Sequence, residues 1–295
     1  MVNRWWVPKV SALIVSEIPS MASVYTKAVK TLGRKPKNPQ LPQTVLVYQG
    51  AKADPAKLTE FRKAVNAPMN TVLPSLYVHS LAFPLAMSLM LRNDFPLPLL
   101  GMIHLSNQVR VNQPLGEEEA FDIEVHSENL TAHAKGATCD LVIRIVVEGQ
   151  DRMLLRSTFL AKGVKLPESQ PVATEHPEFV APVRTAQWKL DSGTGRRWAK
   201  VAGDYNPIHL SALSAKALGM PSAIAHGIYL AARALGGIEP SSGDYSWNIE
   251  FKTPVVLPAT VDLAFERNST GYVVNAWHAR KGKPHFELEL ATTGH

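Results

Sequence analysis

The chain has 295 residues, 45% of them hydrophobic and 19% charged, which is enough for one large or two small buried cores and excludes a disordered polymer. Its formal net charge of +6 points to an acidic partner, but no helix-turn-helix, zinc-finger or RNA-binding aromatic motif accompanies it, which sets nucleic acid aside. One cysteine, Cys139, excludes an internal disulfide and cysteine-rich zinc sites, and no apolar run approaches the length of a membrane span.

Residues 1–40 read as an N-terminal extension. Met1–Val15 lacks an apolar h-region and a small-residue cleavage site, so it is not read as a signal peptide and the chain is expected to be cytoplasmic. Met21, Val24, Tyr25, Ala28, Val29 and Leu32 recur at helical spacing within Ile18–Leu32, predicting an amphipathic helix packed on the body. A basic, proline-broken linker follows from Gly33 to Pro39.

The first unit is expected over 41–165. It opens with a strand at Thr44–Tyr48 and a helix to Val65 started by Asp54-Pro55, with aspartate as cap and proline at the first position. A second helix is expected from Phe83-Pro84 to Leu91. Four strands follow at Ile103–Val111, Ala120–Asn129, Ala134–Val147 and Arg152–Ala161. Cys139 lies within an apolar run and reads as a buried structural thiol. Residues 166–182, with Pro167, Pro171, Pro177 and Pro182, form a linker to a second unit at 183–295.

There the order repeats: a strand at Ala186–Leu190, a helix at Gly195–Val201, a helix at Gly227–Leu235, then strands at Tyr245–Phe251, Thr260–Arg267, Tyr272–Arg280 and His285–Thr292. Asn107–Leu115 aligns with Trp247–Val255, each a strand ending in a proline, and so long a period implies two fused copies of one α+β domain.

The chemistry concentrates in Gly203-Asp204-Tyr205-Asn206-Pro207-Ile208-His209. Pro207 suits the first turn of a helix and Asn206 the cap before it, so Asp204 lies just outside the bend and His209 just inside. Such a bend can aim a carboxylate and an imidazole into one space, as general acid–base chemistry requires. The bland alternative is an Asx-rich turn with a stray histidine. Asp204 and His209 could together bind a metal, but no third ligand is evident and none is expected. Gly236-Gly237 reads as a helix stop.

With the Ala202-Gly203 before it and the His226-Gly227 after it, the stretch Val201–Gly227 resembles the signature of the MaoC-like (R)-specific enoyl-CoA hydratases, or (3R)-hydroxyacyl-thioester dehydratases. The resemblance implies a double hotdog: two antiparallel sheets, each wrapped on a central helix and joined edge to edge, with Pro84–Leu91 and Gly227–Leu235 as the central helices. It implies a cofactor-independent lyase acting on acyl-CoA or on an acyl chain carried by acyl carrier protein, as a monomeric pseudo-dimer or a homodimer.

On that resemblance Asp204 and His209 share the proton transfers, and the Gly227 N–H grips the thioester oxygen. Asn206 is expected to position the loop and His226 to border the substrate while satisfying the helix start. The first copy has Asn66-Ala67-Pro68-Met69-Asn70 where the acid and imidazole stand, and Ala82-Phe83-Pro84 where His226-Gly227 stands, so it is expected to have lost catalysis. Met87 and Met90 become candidates for an acyl-binding wall, against ordinary core packing. A hotdog thioesterase and a non-catalytic acyl-binding subunit are the alternative functions.

Overall fold

The computed structural model describes residues 11–31, 34, 39–166 and 178–292. Leu32, most of the basic linker and much of the 166–182 linker therefore lie outside the described residues.

Eleven strands form one sheet: β1 (Ser11–Ile14), β2 (Thr44–Ala51), β3 (Met102–Val111), β4 (Phe121–His133), β5 (Gly136–Val147), β6 (Gln150–Lys162), β7 (Ala186–Leu190), β8 (Tyr245–Phe251), β9 (Ala259–Arg267), β10 (Gly271–His278) and β11 (Pro284–Thr292). Their order is β1-β2-β4-β5-β6-β3-β8-β11-β10-β9-β7. Apart from the parallel pair β1–β2, which the sequence did not suggest, neighbours are antiparallel. The order reads alike from either side of β3–β8, so the two halves join edge to edge as a double hotdog does.

Among the described residues the α-helices are α1 (Met21–Ala28), α2 (Pro55–Val65), α3 (Ser75–Leu91), α4 (Thr194–Ala202), α5 (Ala212–Ala217) and α6 (Gly227–Leu235). In α1 the residues Met21, Val24 and Ala28 are buried at helical spacing, the face that packs on α3. A 3-10 turn at Val29–Thr31 extends it. Asp54 caps α2 by accepting from the N–H groups of Ala56 and Lys57.

The central helix of the first half corrects the sequence reading. It begins at Ser75 rather than at Phe83-Pro84, and Pro84 lies inside it. Eleven of its 17 residues are buried. Enclosure by the sheet outweighs the one backbone hydrogen bond that an internal proline forfeits. Pro74, not Phe83, precedes the first helical residue.

Ring contacts display the internal symmetry. Phe61 of α2 lies 5.5 Å from Tyr77 near the start of α3, and Trp198 of α4 lies 5.3 Å from Tyr229 near the start of α6. Phe61 and Trp198 meet each other at 5.4 Å. Tyr77 and Tyr229 both sit two residues into their helices, so Ser75 is the counterpart of Gly227. Both α2 and α4 end in a left-handed residue, Asn66 at φ 57° and Gly203 at φ 74°. The loop after Asn66 thus matches the loop after Gly203, and Ala67 stands opposite Asp204.

Candidate active site

The acid–base stretch is shaped from both ends. Gly203 takes the left-handed conformation that ends α4 and turns the chain, a position where a β-carbon is costly. Asn206 caps the 3-10 turn Pro207–His209 with its side chain accepting from the Ile208 N–H at 3.3 Å. Ser214 of α5 donates its hydroxyl to the Pro207 carbonyl at 2.7 Å, tying the turn down from below. The His209 carbonyl lies so near Gly195 of α4 that a β-carbon there would meet it at 2.0 Å. A small residue in α4 is therefore what lets the turn seat.

His209 is oriented by a carbonyl. Its Nδ1 lies 2.8 Å from the Ile224 oxygen, which can only accept, so Nδ1 carries the proton and Nε2 keeps its lone pair. Burial holds the imidazole below its ordinary pKa, while Asp204 pulls the other way. The ring is stacked on that of His226, with centroids 3.6 Å apart.

His226 precedes α6 and is buried. Its Nε2 lies 3.1 Å from the Asp204 backbone carbonyl, so this nitrogen carries the hydrogen. Burial, with His209 adding to it, pushes its pKa well down. Its Nδ1 is buried without a hydrogen-bond partner.

Asp204 stands beside both rings with its side chain 19% exposed. One ligand-type atom from each of Asp204, His209 and His226 lies within 4.8 Å of the others. The third group that the sequence did not reveal is thus present. His226 Nε2, the nitrogen nearest the carboxylate, spends its hydrogen on the Asp204 backbone carbonyl rather than on the carboxylate.

Gly227 opens α6, so its N–H has no acceptor inside the helix. Among the described residues no other group takes it. A β-carbon at this position would meet Cζ of Phe251 at 2.8 Å. The glycine therefore keeps an aromatic ring close beside a free amide at the positive end of a helix.

Several residues reach this site from parts of the chain that the motif does not include. Tyr25 of α1 donates its hydroxyl to Asp204 Oδ1 at 2.7 Å. His79 of α3 is buried and His104 of β3 half-buried, and desolvation pushes them down to about 3 and about 4, each against an opposing pull from Asp204. His104 lies between Phe159, at 4.5 Å, and Phe251, at 5.3 Å. The Nε2 atoms of both histidines are buried without partners. Sequence spacing united neither with the motif, because they arrive across the junction of the halves. Met87 and Met90 are 3% and 0% exposed in the core of the first half; the residues of that half that couple to Asp204 are the two histidines.

The equivalent helix start in the first half differs from the sequence reading. Ser75, not Pro84, stands where Gly227 stands, and it has an N–H. That N–H donates to Glu239 Oε1 at 3.0 Å, and Tyr245 donates its hydroxyl to the same oxygen at 2.9 Å.

A family model for the MaoC-like domain matches residues 168–285. The 3-hydroxyacyl-thioester dehydratase X of Mycobacterium tuberculosis is 31% identical over 252 residues, covering 85% of this chain and 90% of that protein. The crystal structure of M. tuberculosis HtdX superposes with a TM-score of 0.74 at 29% identity, covering 84% of this chain and 99% of that one. A MaoC-like dehydratase from Phytophthora capsici shares the fold, with a TM-score of 0.66 at 15% identity over 85% of this chain and 95% of its own. No helix among the described residues is long and apolar enough to cross a membrane. An identity of this size across most of both chains makes the chain a member of the MaoC-like dehydratase family.

Proposed function

We propose that the protein interconverts (3R)-hydroxyacyl thioesters and trans-2-enoyl thioesters, with coenzyme A or acyl carrier protein as the handle. The observation that carries the reading is the convergence of Asp204 and a neutral His209 beside the unspent N–H of Gly227. The similarity to a 3-hydroxyacyl-thioester dehydratase supports it. The net positive charge suits either handle, both of which are acidic.

Dehydration removes a proton from the carbon next to the thioester carbonyl and expels the 3-hydroxyl as water. Negative charge gathers on the thioester oxygen as the first proton leaves. The Gly227 N–H, fixed before reaction and reinforced by its helix, supplies the hydrogen bond for that charge. Asp204 and the bare Nε2 of His209 divide the two proton transfers, one at the α-carbon and one at the 3-oxygen. His226 holds the Asp204 backbone and buttresses the His209 ring. Asn206 sets the turn. The buried face of the first half, including His79, His104, Met87 and Met90, is assigned to the acyl side of the substrate. The continuous sheet gives this reading one catalytic site per chain.

The test is to incubate the protein with crotonyl-CoA and follow the enoyl absorbance. Hydration is expected, falling by about 100-fold or more in Asp204→Asn and His209→Ala. Release of free thiol with the double bond intact would instead favour a thioesterase, and no reaction with either CoA or carrier-protein substrates would overturn the catalytic reading.

A further inference from the structure

The two oxygens of the Asp204 carboxylate have unlike surroundings. Oδ1 accepts the Tyr25 hydroxyl at 2.7 Å and the Asn206 backbone N–H at 3.2 Å. Oδ2 has no hydrogen bond among the described residues; His226 Nε2 lies 3.9 Å from it, and that nitrogen's hydrogen goes to the Asp204 carbonyl.

Tyr25 does not belong to the stretch that carries the motif, being separated from Asp204 by 179 residues. Several anchors hold its segment in place. Met21, Val24 and Ala28 bury one face of α1. The buried hydroxyl of Thr31 accepts the Leu99 N–H at 3.0 Å, and Arg34 donates to the carbonyls of Met90 at 2.8 Å and Leu91 at 3.1 Å. The carbonyls it takes are those left open at the end of α3. A helix fixed in this way delivers its tyrosine to a set place.

We propose that Tyr25 is a positioning residue: its hydroxyl occupies Asp204 Oδ1 and turns the carboxylate so that Oδ2 alone meets the substrate, which makes the N-terminal segment part of the active site. This rests on the reading that Asp204 handles a proton. A carboxylate free to rotate offers either oxygen at random. One whose Oδ1 holds two donors offers one oxygen in one direction, and near-attack geometry depends on such fixing.

Tyr25→Phe tests this, because it removes one oxygen and keeps the ring. The expected result is a fall in kcat of about 10- to 100-fold with a KM within about twofold. Thr26→Ala on the exposed side of α1 is expected to behave as wild type, which separates loss of the hydroxyl from loosening of the helix. Wild-type kcat in Tyr25→Phe overturns the proposal, as does a loss confined to KM or matched by Thr26→Ala. An inert wild-type protein would instead count against the dehydratase reading itself.

Discussion

The starts of α3 and α6 occupy equivalent places in the two halves, and each presents a backbone N–H at its first position. At α6 the residue is Gly227, with Asp204 and His209 nearby and no protein acceptor among the described residues. At α3 it is Ser75, whose N–H is taken by the Glu239 carboxylate. The Ser75 hydroxyl is engaged as well, accepting from Trp247 Nε1 at 3.0 Å. On the proposed reading a side-chain carboxylate fills, in one half, the place that the thioester oxygen fills in the other. The preceding loops differ in the same sense. Arg62 of α2 reaches forward to the Asn70 side chain at 3.2 Å and the Val72 carbonyl at 2.8 Å, filling the loop from within. Its counterpart, four residues before the left-handed Gly203, is Ala199, whose side chain has no polar group to reach the loop. On that reading one helix-terminal donor serves the substrate, and its counterpart serves as a structural joint.

Closing the open end should have the largest effect. In Gly227→Ala the new β-carbon meets Phe251 Cζ at 2.8 Å, so the ring or the helix start must shift. Displacing an oxyanion donor typically lowers kcat by about 100- to 1,000-fold, about 3 to 4 kcal/mol of transition-state stabilisation. Hydration kinetics on a variant with wild-type circular dichroism check this. A variant with full kcat would mean that the amide is not the donor.

How much of this contrast was legible in the chain depends on where the information lies. The acid–base stretch is local: Asn206-Pro207 for a cap and first turn, His226-Gly227 at a helix start. Each has a sequence signature, and the structure forms each within a residue or so of the expected place. The strands were legible for the same reason, since alternation and turn residues are local. Pro84 misled because proline is favoured at the first turn of a helix, yet a helix enclosed by a sheet tolerates one inside. That error moved the comparison of the halves nine residues along and hid Ser75 and Glu239. Tyr25, His79 and His104 could not be assigned because nothing local links them to Asp204; only the fold brings them there.

A second difference between the ends concerns protons. His104 of β3 leans toward the open site, whereas at the closed one Tyr245 of β8 bonds Glu239. Burial holds His104 down at about 4, below the usual 6.5 of an unfolded histidine. Between those values the unfolded chain takes a proton that the native protein refuses, so stability falls as pH drops from about 6.5 toward 4. Each such histidine contributes about 1.4 kcal/mol per pH unit within its window. His104→Phe removes one titrating group whose Nε2 had no partner to lose. Denaturant unfolding across this range is expected to show a slope shallower by about one proton, and parallel curves for variant and wild type would refute it.

Glu239 has the opposite sign and the smallest effect. Burial raises its pKa above the ordinary 4.5, with the Ser75 and Tyr245 donors partly offsetting the rise. The native state therefore holds its proton to higher pH than the unfolded chain does. The resulting stabilisation is full below the unfolded value and is lost as pH rises through the native one. Glu239→Gln keeps an oxygen for the Ser75 N–H and the Tyr245 hydroxyl and abolishes the ionisation. It should leave turnover unchanged, raise stability at neutral pH and gain nothing near pH 4. Alanine at the same place strands both donors and should cost about 1 to 3 kcal/mol instead. The pair of variants separates two views of the closed end. If glutamine is tolerated and alanine is not, the joint at α3 needs an acceptor and not a charge. If glutamine also destabilises at neutral pH, the carboxylate is ionised there, and the positive end of α3 is being neutralised by the protein's own anion.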